Sequence, residues 1–277
     1  MRGKLSTCHA TGVVLVADEY ISLNNLYSYA MTNFIQPATG STDGILLVDK
    51  PSGLTSHDVV DRIRRNFKFN KVGHAGTLDP QATGLLVLMI GRGTKLAELF
   101  LAGDKTYNGA LRLGLATDTQ DAEGIPLREA DYRQITPAQL QQEIQRRTGD
   151  ILQTPPMVSA VKKNGIPLYK LARKGQTVER RPKLIHIYEF SLLDFTPPHA
   201  TFHLRCSKGV YVRTLCADIG DALGCGAHLE QLRRMQSGDF SIDHATPLSV
   251  LLQMDHLQLA NLLIPLHRIR RPERPPI

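Results

Sequence analysis

Two long strand-like runs near residue 190 set the topology that the rest of this chain must accommodate. Residues 182–195 (PKLIHIYEFSLLDF) and 200–206 (ATFHLRC) are rich in β-branched and aromatic residues, and only TPPH stands at their junction. They read as paired strands. Elsewhere GILLVD (44–49) is strand-like, LLVLMI (85–90) reads as a buried strand, and TYNGALRLGLA (106–116) alternates as a strand. TKLAELFLA (94–102) reads as a helix. Strands and helices are mixed without the regular alternation of a parallel sheet. The expected fold class is therefore α+β, with a mixed, largely antiparallel sheet flanked by helices.

Helix boundaries are signalled locally. Thr55 and Asp58 form an [ST]-x-x-[DE] start, followed by an apolar face of Val59, Val60, Ile63 and Phe67. Arg62, Arg64, Arg65, Lys68 and Lys71 decorate the other side and the end of that helix. Thr136, Pro137 and Gln139 make a second start, with Pro at the first helical position. VYVRTLCADIGDALG (210–224) reads as a strand end running into a helix closed by Gly224. PLSVLLQ (247–253) and LANLLIP (259–265) are expected to be short helices.

Charge narrows the partners. The net charge of +7 favours an anionic partner, for which nucleic acid is the commonest candidate. Lys162, Lys163, Lys170, Arg173, Lys174, Arg180, Arg181, Lys183, Arg233 and Arg234 form several basic patches, each readable as a solvated face. The four cysteines show neither a C-x-x-C pair nor a disulfide framework, which suits a reducing, cytoplasmic compartment. The ten histidines form no ligand cluster, so no metal is expected. GVVLVA (12–17) is too short to span a membrane. GRGTK fails the spacing of a phosphate-binding loop.

Three stretches resist a pure packing explanation. KVGHAGTLDPQATG (71–84) is a loop with a single acid, Asp79, a single histidine, His74, and glycines at 73, 76 and 84. Either Asp79 caps a turn, as Asp-Pro commonly does, or it faces a partner that the backbone approaches closely. Tyr107 is the lone aromatic of its strand, and a half-buried packing role is the plain alternative. In CSKGVYVRTLCADIG (206–220), Tyr211 and Arg213 would share one face of an extended segment and serve a buried anion, unless they form a surface ion pair with an aromatic cover.

Four ordered motifs, GILLVDKPSGLTSHDVV, VGHAGTLDPQATGLL, DKTYNGALRLGLATDTQD and CSKGVYVRTLCADIG, closely resemble the TruB family of tRNA pseudouridine synthases. GAHLEQLRRMQSGDF (226–240) fits as well, so the likeness runs from about residue 44 to 240. The resemblance implies a pseudouridine synthase sheet and a cofactor-free isomerisation of uridine 55 in the T-loop of tRNA to pseudouridine. It assigns the nucleophile to Asp79, its ion-pair partner to Arg213, and an active-site tyrosine that helps remove the C5 proton to Tyr211. Tyr107 would stack on the flipped base, Leu232 would line the uracil pocket, and His74 would enter the T-loop. Lys50 and Pro51 would support the active-site wall. Residues 1–43 are expected to be a flexible extension, with Met31 an alternative start. Residues 44–245 would form the catalytic domain, and residues 246–277 a short helical segment and basic tail, with no complete C-terminal PUA-like domain. The implied partner is the tRNA T-arm, with no membrane and no protein partner, for a monomeric enzyme. A tRNA-binding folding helper, for which catalysis is dispensable, is the competing reading.

Overall fold

The computed structural model describes residues 13–16, 19–22 and 43–269, apart from 160–161, 164, 169–170, 172–174 and 177. The expectations for the rest of 1–43, for the 270–277 tail, and for Lys170, Arg173 and Lys174 lie outside the described residues. Within the N-terminal stretch, β1 (Val13–Val16) and β2 (Glu19–Ser22) pair antiparallel, a hairpin that GVVLVA did not announce.

In chain order there follow β3 (Gly44–Lys50), α1 (Ser56–Asn66), β4 (Val72–Ala75), β5 (Thr83–Ile90), α2 (Ala97–Ala102) and β6 (Lys105–Leu113). Then come β7 (Leu115–Thr117), β8 (Pro126–Glu129), α3 (Pro137–Gln145), β9 (Gly149–Gln153), β10 (Lys162–Lys163) and β11 (Ile166–Pro167). The chain continues with β12 (Lys183–Thr196), β13 (His199–Cys206), α4 (Val212–Ala222), β14 (Ala227–Ser237) and β15 (Phe240–Ser241). It closes with β16 (Thr246–Pro247), α5 (Leu248–Leu251) and α6 (His256–Leu262). No helix among the described residues is long and apolar enough to cross a membrane.

One sheet dominates, in the order β16-β3-β5-β14-β6-β13-β12-β9, with β4 on β5 and β15 on β14. Among the described residues only β14 with β5 and β16 with β3 run parallel within it. The expected α+β class with a mixed, largely antiparallel sheet is the observed one. The β12–β13 hairpin is present, and β13 continues onto β6 with Leu204 opposite Tyr107.

Local chemistry explains the helices. Thr55 accepts from Asp58 N–H while Asp58 accepts from Thr55 N–H, and Thr136 and Gln139 repeat this reciprocal cap on α3. Val59, Val60 and Ile63 then pack against Leu46, Val48, Leu86 and Leu88, a core that Leu248, Leu251 and Leu259 complete. A second core joins Leu215, Cys216 and Ile219 of α4 to Leu111, Ile187, Phe202 and Leu204. β5 contributes to two cores because both of its faces are covered, which is why LLVLMI reads as an unbroken apolar run.

The stretch at 71–84 is only partly a loop: its first residues form β4, paired with β5, and the turn proper is 76–82. Its glycines serve different needs. Gly76 takes a positive φ of 88°. A Cβ at Gly84 would lie 2.4 Å from the Arg234 carbonyl oxygen, so β5 can cross close to β14 only through glycine. Gly73 is under no such demand, with its nearest neighbours at 3.6 Å. The smallness of this stretch thus answers in part to the protein's own packing.

Candidate active site

The turn carrying Asp79 is held by buried polar side chains from three elements. Ser56, on the first turn of α1, donates to the Leu78 carbonyl at 3.0 Å and accepts from Leu78 N–H at 2.8 Å. Lys50, at the end of β3 and fully buried, donates to the carbonyls of Pro51 (2.9 Å), Leu54 (2.6 Å) and Pro80 (3.0 Å). Burial pulls its ammonium down to about 8, with Asp79 the largest opposing influence. Arg234, 1% exposed on β14, donates to the Leu85 carbonyl at 2.7 Å and the Gly76 carbonyl at 3.1 Å. Arg234 is therefore no part of a solvated basic patch; it is a buried brace of the turn.

Asp79 projects from this frame into a cavity of about 330 Å³. Arg213 meets it side-on, with Nε 2.9 Å from Oδ2 and Nη2 3.4 Å from Oδ1. The guanidinium also donates to the carbonyls of Thr119 and Val158, both at 2.9 Å, and its Nη1 lies 3.4 Å from Asp121 Oδ2. One buried cation is thus shared by two carboxylates. Burial raises the pKa of Asp79 above its ordinary value; Arg213 opposes this, and Asp121 and Glu123 add to it. The cation moderates the rise without cancelling it.

Tyr211 and Arg213 reach the cavity by a route other than the extended segment expected. The chain has already turned into α4, with Tyr211 as its N-cap and Arg213 in its first turn. Gln153 of β9 pins that junction, accepting from Tyr211 N–H at 2.8 Å and donating to its carbonyl at 3.0 Å. Tyr107 of β6 and Leu232 of β14 line the same cavity. Burial raises the phenol pKa of both Tyr107 and Tyr211.

The structure brings together Asp79, Tyr107, Tyr211, Arg213 and Leu232, and leaves His74 apart. His74 lies on β4 and is not among the cavity-lining residues, and among the described residues its buried Nδ1 has no hydrogen-bond partner. Burial lowers its pKa, with Arg234 and His57 adding to the effect. Among the basic patches, Arg181 and Lys183 are exposed, Arg180 donates to the Pro155 carbonyl at 3.1 Å, and Arg233 forms a two-point pair with Asp49 at 3.0 and 2.7 Å. No group of three or more His, Cys, Asp or Glu side chains among the described residues is arranged to hold a metal ion.

Reading the sequence missed the bracing roles of Ser56 and Arg234, and Asp121 as the second acid on Arg213. Ser56 had no signal beyond its place after a capping threonine. Asp121 stood inside a motif, ATDTQD, without any spacing rule to separate it from Asp118.

Comparison with known proteins identifies the family. Residues 64–212 match the model of the TruB family pseudouridylate synthase N-terminal domain, and residues 213–269 that of the tRNA pseudouridylate synthase B C-terminal domain. A tRNA pseudouridine synthase B of Opitutus terrae is 46% identical over 234 residues, covering 84% of this chain and 97% of the relative. The Syntrophotalea carbinolica protein of the same name is 50% identical over 209 residues, covering 76% and 68%. Among solved structures, a crystal structure of a Cbf5-Nop10-Gar1 complex contains a chain that superposes with a TM-score of 0.64 at 27% identity. That match covers 80% of this chain and 60% of the other. The chain belongs to the TruB family of pseudouridylate synthases.

Proposed function

We propose that this protein isomerises uridine 55 in the T-loop of tRNA to pseudouridine, with Asp79 as the nucleophile. The observation that carries the reading is the pairing of Asp79 with buried Arg213 at the edge of a cavity that Tyr107, Tyr211 and Leu232 also line. The reaction replaces the bond from ribose C1′ to uracil N1 by one to C5. It is redox-neutral and imports no group, so no cofactor is called for. A base inside a stacked loop cannot reach such a cavity, so it is flipped out, at a cost of a few kcal/mol. Tyr107 offers it an aromatic face and Leu232 an apolar wall. Arg213 opposes the effect of burial on Asp79 and favours its ionised form. Tyr211, which lines the cavity, supplies in this reading the phenol oxygen that assists removal of the C5 proton. In this reading His74, on β4 beside the turn, enters the T-loop of the RNA.

We further propose that residues 44–245 work as the catalytic domain, with the helical segment after residue 245 packed on its α1 side; the burial of Leu248, Leu251 and Leu259 against Val59 and Ile63 supports this. The proposed partner is the T-arm alone, bound by a cytoplasmic monomer. Exposed Arg181 and Lys183 are suited to phosphate contacts. Neutralising both should flatten the salt dependence of tRNA binding, since each phosphate contact adds up to about one unit of log–log slope. The deciding experiment for the function is incubation with unmodified tRNA carrying tritium at uracil C5. Isomerisation releases the label to water; retention of the label with bound tRNA would favour the folding-helper reading instead.

A further inference from the structure

Among the described residues that line the cavity, one buried side-chain polar atom has no hydrogen-bond partner. Ser159 is 6% exposed and lines the same cavity as Asp79, Tyr211 and Arg213. Its Oγ is buried, and among the described residues it makes no hydrogen bond. The backbone that carries it is fixed. The preceding carbonyl, of Val158, accepts from Arg213 Nη2 at 2.9 Å, and Ser159 N–H donates to the Met157 carbonyl at 3.0 Å. The guanidinium that pairs with Asp79 therefore also locates the Ser159 hydroxyl relative to Asp79. Ser159 neighbours the Tyr211 phenol, whose pKa rises with burial, a rise that Ser159 opposes, and the two do not meet in hydrogen-bond geometry.

A buried hydroxyl without a partner is destabilising, and such groups are uncommon unless a ligand or water completes them. We propose that Ser159 is a substrate contact, its hydroxyl donating to a carbonyl oxygen of the uracil ring held in the cavity. This rests on the uridine-isomerase reading of the site. In that reaction the C1′–N1 bond breaks and a C1′–C5 bond forms, while N1 gains a proton and C5 loses one. Between the two bonds the ring must turn half a revolution about the line through N3 and C6. That turn exchanges N1 with C5 and, with them, O2 with O4. A donor beside one carbonyl of the starting base therefore meets the other carbonyl after the turn. A single hydroxyl on fixed backbone, free to rotate about its own Cβ–Oγ bond, can hold the ring edge in both poses. Two of the cavity's cations are already engaged: Arg213 is bound to Asp79 and to two carbonyls, and Lys105 donates to the Leu101 and Gly103 carbonyls at 3.0 and 2.5 Å.

The test compares wild type, Ser159→Ala and Ser159→Thr in single-turnover conversion of full-length tRNA transcripts carrying uridine, 2-thiouridine or 4-thiouridine at the target position. Sulfur is the weaker acceptor, so it reports on a hydrogen bond to that atom alone. Ser159→Ala should slow conversion of the uridine substrate about 10-fold, the scale of one lost hydrogen bond, with tRNA affinity unchanged. Ser159→Thr, which keeps the hydroxyl, should recover most of that rate. At least one thio substitution should slow wild type but slow Ser159→Ala no further. The proposal is overturned by an unchanged rate in Ser159→Ala, by the absence of a thio penalty in wild type, or by equal thio penalties in wild type and Ser159→Ala. The last result would confine Ser159 to packing or to positioning Tyr211. Failure of wild type to convert the uridine substrate would instead overturn the isomerase reading on which the proposal stands.

Discussion

Ser56 grips Leu78, the residue before Asp79, from both sides: its hydroxyl accepts from the Leu78 N–H at 2.8 Å and donates to the Leu78 carbonyl at 3.0 Å. Both residues are buried, so water cannot replace either bond. Ser56→Ala should lower unfolding free energy by about 1–3 kcal/mol, the usual effect of leaving a buried donor unsatisfied. It should also reduce turnover while tRNA affinity holds, because the proposed phosphate contacts fall to other residues, Arg181 and Lys183. Urea denaturation and tritium release check the two halves; unchanged stability would contradict the bracing role.

Gly84 and Gly73 flank the same turn and should respond differently to alanine. At Gly84 φ is positive and a Cβ would stand 2.4 Å from backbone oxygen, so Gly84→Ala should cost more than about 2 kcal/mol. Gly73→Ala meets ordinary contacts at 3.6 Å and should stay within about 1 kcal/mol of wild type. Thermal and urea unfolding of the pair distinguish them directly. If both glycines were small only for the sake of RNA, both variants would keep wild-type stability.

Arg213 gives Asp79 two nitrogens and two backbone carbonyls two more bonds, a planar pattern that an ammonium cannot reproduce. Arg213→Lys should lower turnover roughly 10- to 100-fold, corresponding to a loss of about 1.5–3 kcal/mol of charged hydrogen bonding. Affinity for tRNA should change little. A fall in affinity equal to the fall in turnover would make Arg213 a phosphate contact.

The pH profile follows from the sign of the Asp79 shift. A nucleophilic carboxylate acts when ionised, so activity falls as pH drops through its pKa. Burial raises that pKa, which places the acidic limb above the ordinary aspartate value of about 3.9. Asp121 contributes to the rise and also competes for Arg213. Asp121→Asn removes the repulsion and frees the guanidinium for Asp79, and both effects move the limb to lower pH. Single-turnover rates across the acidic range measure this; a limb that stays or moves upward would contradict the shared-cation geometry.

Much of this was legible in the sequence, and the failures share a cause. Periodicity and caps are local, so α1 and α3, the β12–β13 hairpin and the buried β5 could be read from their own residues. Asp79, Tyr107, Tyr211, Arg213 and Leu232 are singled out by motif order, and they line one cavity. Their convergence depends on β14 lying between β5 and β6, a long-range pairing that no window of sequence contains. For the same reason Arg234 looked like a surface charge. Its alternation partner Arg233 is half-exposed on Asp49, and only the register opposite Gly84 and Tyr107 shows that residue 234 points inward. The extended-strand reading of residues 211 and 213 failed because the chain turns into α4 at Tyr211, whose backbone Gln153, far away in sequence, holds from both sides.

The most direct test of the account is tritium release from C5-labelled tRNA by Asp79→Asn, measured beside its tRNA affinity. Asparagine keeps the shape of Asp79 and removes the charge that Arg213 holds. The account predicts that the label stays on the RNA while binding remains close to wild type, since the phosphate contacts are untouched. Tritium release well above background by a clean Asp79→Asn preparation would contradict it.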